Sequence, residues 1–220
     1  MSDPLPVEYA RFCQQFPTLP TSPLIESVFN FAREQMPLYL FNHVLRSWVF
    51  AVQLGQLRQI ECDQEVLAAA TLLHDLGLTE HADGPHRFEV NGAITATALV
   101  KQLGFDERRA QLVWDSIALH ATPSISFLKE PEVALCARGI SVDFGAPDYA
   151  AFSPLSIERI VDALPRLNLK AEFTSCLCHM ATTRPETTYD NLVRDFGERF
   201  VPGYQAPSWV DRVLGGPFPE

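Results

Sequence analysis

The chain has 220 residues, of which 47% are hydrophobic and 20% charged, and this composition is typical of a folded globular protein. No stretch approaches the ~18 consecutive apolar residues that a membrane-spanning helix needs, so we expect no membrane contact. Seventeen basic residues against 27 acidic ones give a net charge of −10. Because this charge repels phosphate backbones, we also expect no nucleic-acid partner.

The length fits one domain, and no linker composition or internal repeat divides it. We therefore expect a single compact domain over residues 1–220, with a helical core at about 24–200 and a tail rich in proline and glycine. The N-terminus lacks the basic and apolar regions of a secretory signal, which predicts a cytoplasmic location. Five cysteines at irregular spacing predict free thiols in that reducing compartment.

Helix signals follow one another along the chain, whereas strand signals are scarce. Ser22-Pro23 predicts a capped helix that stops before Pro37, and a second helix is expected over about 38–54. Asp63 begins a third helix that is apolar nearly all round. We predict that this helix is buried at the centre of the core and ends at Gly77.

The rest of the chain continues the helical pattern. Arg87–Leu103 and Asp106–His120 are strongly periodic, and Gly104 ends the first of them. The remaining helices are predicted at Pro131–Phe144, from Ser153 to Pro165, at Leu169–Thr183 and at Tyr189–Phe200. This pattern predicts an all-α fold.

A His-Asp pair, His74-Asp75, stands at the end of the helix predicted to be most buried. Burying an ionised carboxylate costs several kcal/mol unless a cation or several donors meet it. A metal ion would satisfy both side chains. The alternative is that Asp75 pairs with Arg46 while His74 is an ordinary core histidine.

Two more candidate ligands lie on other predicted helices. His43 shares a core-facing stripe with Leu40 and Phe50. Asp143 likewise shares a helix face with Ile140, three residues before it. A histidine, a His-Asp pair and an aspartate thus point towards one interior from three helices. Four nitrogen and oxygen ligands of this kind suit a single divalent transition ion.

This order of ligands on an all-α chain resembles the HD-domain superfamily of metal-dependent hydrolases. Within that superfamily, His74-Asp-Leu-Gly-Leu78 followed by Arg87-Phe-Glu-Val-Asn-Gly-Ala93 is similar to the cyanamide hydratase-type branch, which has Asp where Asn91 stands here. The resemblance spans about residues 42–144. It implies a helical HD-domain bundle and one zinc ion, with iron, manganese or nickel as alternatives. The ligands that it implies are His43, His74, Asp75 and Asp143.

Three further side chains are candidates for catalysis. His120 ends its helix on the face of Val113 and Ile117, so we expect it in the substrate pocket, where an imidazole can transfer protons near neutral pH. Arg87 and Glu89 are expected to brace a metal ligand or to handle a proton. The sequence leaves open whether His86 and His120 line the pocket or bind a second metal, and it predicts a solvated His81.

Two enzyme functions compete. The resemblance implies a hydratase that adds water to a small nitrile such as cyanamide and gives an amide such as urea. A metal-dependent phosphohydrolase is the alternative, but it needs cations for a phosphate, and the segment 41–100 contains no lysine. A helical binding module with a merely structural His-Asp pair ranks third. The substrate is thus expected to be a small molecule, and the oligomeric state stays open, a homo-oligomer included.

Overall fold

The computed structural model describes residues 7–218, and within that range it holds α-helices and short 3₁₀ turns but no β-strand. The predicted all-α fold is confirmed. The chain divides into two compact units, Met1–Leu169 and Lys170–Glu220. The single domain expected over residues 1–220 stays a prediction.

The helices are numbered in chain order: α1 Tyr9–Gln15, α2 Pro23–Gln35, α3 Leu38–Arg58, α4 Gln64–Leu73, α5 Phe88–Gln102, α6 Glu107–Leu119, α7 Pro123–Ser126, α8 Pro131–Asp143, α9 Pro154–Ala163, α10 Leu169–Thr183, α11 Val193–Phe200 and α12 Trp209–Leu214. Short 3₁₀ turns lie at Leu76–Leu78, Glu80–Ala82, Pro147–Ala151 and Pro185–Thr187. The sequence did not predict α1, α7 or α12. Within the described range, no helix combines the length and the apolar character that a membrane crossing requires.

The centre of the first unit is formed by α3 and α4. Every residue of α4 from Val66 to Leu73 is buried, which confirms its predicted place in the core. Helix α3 packs against both α4 and α8. The backbones of α3 and α8 approach closely at Gly139, where a Cβ atom would lie 2.5 Å from the carbonyl oxygen of Ser47. This contact places the middle of α3 beside the end of α8.

Local sequence signals set several helix starts. The side chains of Ser22, Asp63 and Asp106 accept hydrogen bonds from backbone N–H groups at the starts of α2, α4 and α6. Helix α3 continues to Arg58, one turn beyond the expected end, and stops where Gln59 adopts a left-handed conformation with φ of 54°.

The predicted end of α4 at Gly77 is wrong. The helix stops at Leu73, and the chain turns through His74 and Asp75 into the 3₁₀ turn Leu76–Leu78. Gly77 has a different role, since a Cβ atom there would clash with the carbonyl oxygen of Phe88. The glycine thus allows the start of α5 to pack against the turn that carries the His-Asp pair.

The second unit contains most of α10 together with α11 and α12. The observed bounds of α10 are those predicted. Helix α11 begins at Val193 and not at Tyr189, with Leu192 as its N-cap. The Asn191 side chain accepts a hydrogen bond from the backbone N–H of Val193, a local bond that favours a turn before the helix.

Candidate metal centre

Three buried side chains meet where α3 passes the end of α4. His43 lies in the middle of α3, His74 follows the last residue of α4, and Asp75 comes directly after it. All three are at most 1% exposed. The turn after α4 lets the adjacent His74 and Asp75 side chains face the same small space.

The ligand atoms of these residues lie close together. Nε2 of His43 is 3.2 Å from Nε2 of His74. Oδ2 of Asp75 is 3.2 Å from Nε2 of His74 and 3.6 Å from Nε2 of His43. Two imidazoles and a carboxylate are donors that divalent transition ions prefer. The structure therefore brings together three of the four predicted ligands in a group that could hold a metal ion.

In both histidines the second ring nitrogen, Nδ1, forms a hydrogen bond on the side of the ring away from the group. Nδ1 of His74 donates to the carbonyl oxygen of Thr71 at 2.9 Å, and Nδ1 of His43 donates to Oδ2 of Asp143 at 2.7 Å. These bonds assign the proton to Nδ1 in both neutral rings and leave a lone pair on Nε2. This arrangement is typical of histidines that bind a metal.

The group fits a cation on chemical grounds. Two Nε2 lone pairs at 3.2 Å repel each other unless a positive charge lies between them. Oδ2 of Asp75 is buried, and within residues 7–218 it accepts no hydrogen bond, a costly state for a carboxylate oxygen. Bonds of about 2.0–2.1 Å from a tetrahedral zinc would put neighbouring ligand atoms roughly 3.3 Å apart, close to the observed spacing.

Asp143 lies outside this group. As the last residue of α8 it reaches the Nδ1 edge of His43, and it also accepts bonds from Nε and Nη2 of Arg46, both at 2.8 Å. Nη1 of Arg166 adds another at 2.7 Å. The structure thus does not place Asp143 beside His74 and Asp75, because its carboxylate is bound to the two arginines and to the far side of the His43 ring.

Electrostatics keep these groups in defined charge states. Burial alone would raise the pKa of Asp143, but the bonds from Arg46 and His43 outweigh it and hold the pKa below its ordinary value. Burial lowers the pKa of His43, against the raising effect of Asp143. The alternative pairing of Arg46 with Asp75, considered from the sequence, is replaced by a pairing of Arg46 with Asp143.

His120 lies beside the group, as its helix position suggested. It follows the last residue of α6, and its Nδ1 donates to the carbonyl oxygen of Ile117 at 2.7 Å. Its ring centroid is 4.9 Å from that of His74, and its Nε2 is 3.8 Å from Oδ1 of Asp75. Burial and the neighbouring His74 lower the pKa of His120. A neutral imidazole with an Nε2 lone pair therefore faces the metal group.

Glu89 and Arg87 form an ion pair at the start of α5. Glu89 is fully buried, and its carboxylate accepts from Nε and Nη2 of Arg87 at 3.1 and 2.7 Å. Phe88, between them in the chain, contacts the His120 ring at 5.7 Å between centroids, and the charge of Glu89 acts on His120. Neither belongs to the group of three ligands, and their catalytic roles stay predictions.

The remaining histidines of the first unit lie outside the group. His81 and His86 are exposed, and the His81 ring packs edge-on against Phe31. Asn91 holds the backbone at His86, since its side chain accepts from the N–H at 3.2 Å and donates to the carbonyl oxygen at 2.9 Å. The residue that departs from the cyanamide hydratase pattern thus has a structural role in this loop.

Two residues near the group had no distinguishing sequence signal. Arg166 lies between α9 and α10, outside any periodic segment. Phe144, directly after α8, has its ring 5.0 Å from that of His43 and is half exposed, which puts an aromatic side chain between the buried group and solvent. Only its position next to a candidate ligand could have identified it.

Comparison with known families agrees with this geometry. Residues 40–144, just under half of the chain, match the model of the HD domain. The matched segment includes the three grouped ligands, His120 and Asp143, and it supports an assignment to the HD-domain superfamily. The match points to a metal-dependent hydrolase. A search of curated proteins gave no match to the chain.

Proposed function

We propose that this protein is a metal-dependent hydratase that adds water to a small nitrile such as cyanamide and gives an amide such as urea. The HD match supports the coarser class of metal-dependent hydrolase. The similarity of segment 74–93 to the cyanamide hydratase-type branch supports the finer one. A single structural observation favours a neutral substrate: each arginine at the centre is bound to a carboxylate.

The preference for a neutral substrate rests on the pairing of these arginines with carboxylates. Arg46 and Arg166 both contact Asp143, and Arg87 contacts Glu89. A phosphoester brings one or two negative charges and needs cationic donors that bind it strongly. Here a phosphate would compete with carboxylates already in contact with these guanidinium groups. A small nitrile carries no charge, so it requires no such anchor.

The proposed ligands are His43, His74 and Asp75, and the metal is proposed to be zinc. When bound, a divalent ion supplies Lewis-acid chemistry and lowers the pKa of water towards neutrality. The surrounding protein contributes neutral imidazoles with Nε2 lone pairs, and the Phe144 ring shields the group from bulk water. The buried position of the three ligands strengthens electrostatic interactions at the site.

His120 is proposed to move the proton. Hydration forms one C–O bond to the nitrile carbon, breaks both O–H bonds of the water and forms two N–H bonds on the nitrile nitrogen, and no group leaves. The first proton transfer gives an imidic acid, and the shift of the second proton from oxygen to nitrogen gives the amide. Nε2 of His120 takes a proton from the attacking water and delivers it to the nitrogen, while its Nδ1–H stays bonded to Ile117. The lowered pKa of His120 keeps this nitrogen unprotonated and able to accept at neutral pH.

The second candidate is an HD-type phosphohydrolase acting on a nucleotide or another phosphoester, which the HD match supports as well. One experiment separates the two. Zinc-loaded protein is assayed for urea formed from cyanamide and for phosphate released from nucleoside monophosphates, with His74→Ala as the inactive control. Urea formation without phosphate release is expected. Phosphate release without urea would reverse the assignment.

A further inference from the structure

The helix α12 in the second unit is short, apolar and exposed. Four of its side chains follow the spacing i, i+1, i+4, i+5, which puts them on one side of a helix, and a phenylalanine follows four residues later: Trp209, Val210, Val213, Leu214 and Phe218. These five side chains, which we call the α12 surface, are between 64% and 85% exposed. No other ten-residue stretch of residues 7–218 exposes as many large hydrophobic side chains. We infer that two copies of this chain associate through the α12 surface.

A helix of this length requires a packing partner. Isolated helices shorter than about 12 residues are marginal in water because helix nucleation is unfavourable, and α12 has six residues. Its contacts are local: the Ser208 side chain accepts from the N–H of Asp211 at 3.3 Å, and the guanidinium group of Arg212 lies 5.3 Å from the centre of the Trp209 ring. Such contacts contribute about 1 kcal/mol each. The apolar side of α12 therefore needs to be buried against another surface.

The chain just before α12 is fixed to its own unit. The hydroxyl oxygen of Tyr204 is 2.7 Å from Oγ1 of Thr188, which is fully buried. The Tyr204 ring packs against Gly197, where a Cβ atom would lie 2.7 Å from it. Helix α12 thus begins a few residues after an anchored tyrosine. Because the anchor already restricts where α12 can lie, docking of the helix costs less conformational entropy than docking of a free tail.

The charge of this segment favours a second copy as its occupant. The chain has a net charge of −10, so two copies repel each other over most of their surfaces. Residues 201–218 contain one acidic and one basic residue, Asp211 and Arg212, and are neutral. Two copies can therefore meet here without bringing like net charges together. A lipid surface fits less well, because helices that lie on membranes are rich in lysine and arginine and anionic lipids would repel the chain.

The area of the α12 surface is also suited to a pair of copies. A large aromatic side chain presents about 150–250 Å², and at the exposures given above the five side chains together offer roughly 500 Å² in each copy. A pair would bury about 1,000 Å², the size at which specific interfaces begin. If the same surface serves both copies, the assembly closes as a two-fold dimer. An interface of this size predicts a reversible dimer.

The test measures the association of full-length variants. Sedimentation equilibrium at protein concentrations of about 1–100 µM, the range in which a small interface dissociates, gives the dimer dissociation constant. Val213→Asp and Leu214→Asp each place a charge within the α12 surface. Leu128→Asp is the matched control, because it makes the same kind of change at an exposed leucine of the first unit. Far-UV circular dichroism checks that each variant is folded.

We expect wild type and Leu128→Asp to dimerise alike, and Val213→Asp and Leu214→Asp to raise the dissociation constant by about 100-fold. A wild type that stays monomeric at about 100 µM would overturn the inference, as would an assembly that both α12 variants leave intact. Co-sedimentation with vesicles of phosphatidylcholine and phosphatidylserine tests the lipid alternative. A monomer that binds these vesicles, and loses the binding in Val213→Asp, would overturn the inference in favour of a membrane surface. None of these outcomes depends on the proposed hydratase activity, which is assayed separately.

Discussion

Nε2 of His43 lies 3.2 Å from Nε2 of His74, and both nitrogens present lone pairs because each ring donates its other proton to a buried acceptor. Two acceptors at this distance are stable only around a shared cation. The buried Oδ2 of Asp75, 3.2 Å from Nε2 of His74, also requires a nearby positive charge. This relationship between two imidazoles is the basis of the first prediction.

The purified protein should hold one divalent metal ion per chain, and zinc should raise its melting temperature. Free zinc at a hundred times the dissociation constant would add about 2.7 kcal/mol to the free energy of unfolding. Elemental analysis and thermal denaturation with and without a chelator measure both effects. His74→Ala should remove them, whereas the exposed His179→Ala should not. An unchanged melting temperature on adding zinc to metal-free wild type would contradict the prediction.

Replacing Asn91 by aspartate should destabilise the protein even though the family pattern has Asp at this position. The Asn91 amide both accepts from and donates to the backbone at His86. An aspartate could only accept, and its charge would face the carbonyl oxygen of His86. We expect a loss of about 1–3 kcal/mol in the free energy of unfolding, measured by urea denaturation. Asn91→Ser, which retains a donor and an acceptor but adds no charge, should cost less; an equal or larger loss would argue against the repulsion.

Gly139→Ala should both destabilise the protein and weaken metal binding. The added methyl group would lie 2.5 Å from the carbonyl oxygen of Ser47 and 2.6 Å from Cβ of Ala51, so α3 and α8 would have to separate. Overpacking of this kind costs about 1–3 kcal/mol. Because His43 and Asp143 lie on these two helices, zinc affinity should fall as well. Ser141→Ala on the same helix is the control and should stay within about 0.5 kcal/mol of wild type; a Gly139→Ala protein as stable as this control would be contrary evidence.

How much of the protein could be predicted from the sequence depended on the range of the interactions. Ser22, Asp63 and Asp106 cap helices through bonds to neighbours two or three residues away, so local patterns located α2, α4 and α6. Periodicity also placed His43 on a face that points inward, and His74 was placed in the interior by its position at the end of the helix predicted to be most buried. Periodicity could not indicate that Arg46 pairs with the carboxylate of Asp143, 97 residues away. This pairing depends on how α3 packs on α8.

The stability of the first unit should fall on acidification through Asp63. Burial raises the pKa of this carboxyl group, but Arg109 and the backbone N–H groups at the start of α4 outweigh it, so the pKa is lowered on folding. The stabilising effect is therefore complete above the unfolded-state pKa of about 3.9 and is lost as the pH falls through the folded-state value.

The measurement is urea denaturation between pH 6 and pH 2. Asp63→Asn should make the free energy of unfolding depend less steeply on pH in the acid range than it does in wild type. Asp162→Asn, at an exposed position of α9, is the control and should follow the wild-type curve. Identical curves for Asp63→Asn and wild type would show that this carboxyl group does not contribute.

The last prediction concerns His120. Its ring lies 4.9 Å from that of His74, and its Nδ1–H is bonded to the carbonyl oxygen of Ile117, so its Nε2 faces Asp75 in the proposed metal group. If that nitrogen transfers the proton during nitrile hydration, His120→Ala should lower kcat by about 10²–10⁴-fold while zinc stays bound. Turnover of cyanamide and metal content are measured on the same preparation, with His86→Ala as a control at an exposed position. Loss of the metal would instead identify His120 as a ligand, because removal of a group that only moves protons leaves the donor set intact. Full activity with full metal content would make it an ordinary buried histidine, held by its bond to Ile117 and its packing on Phe88.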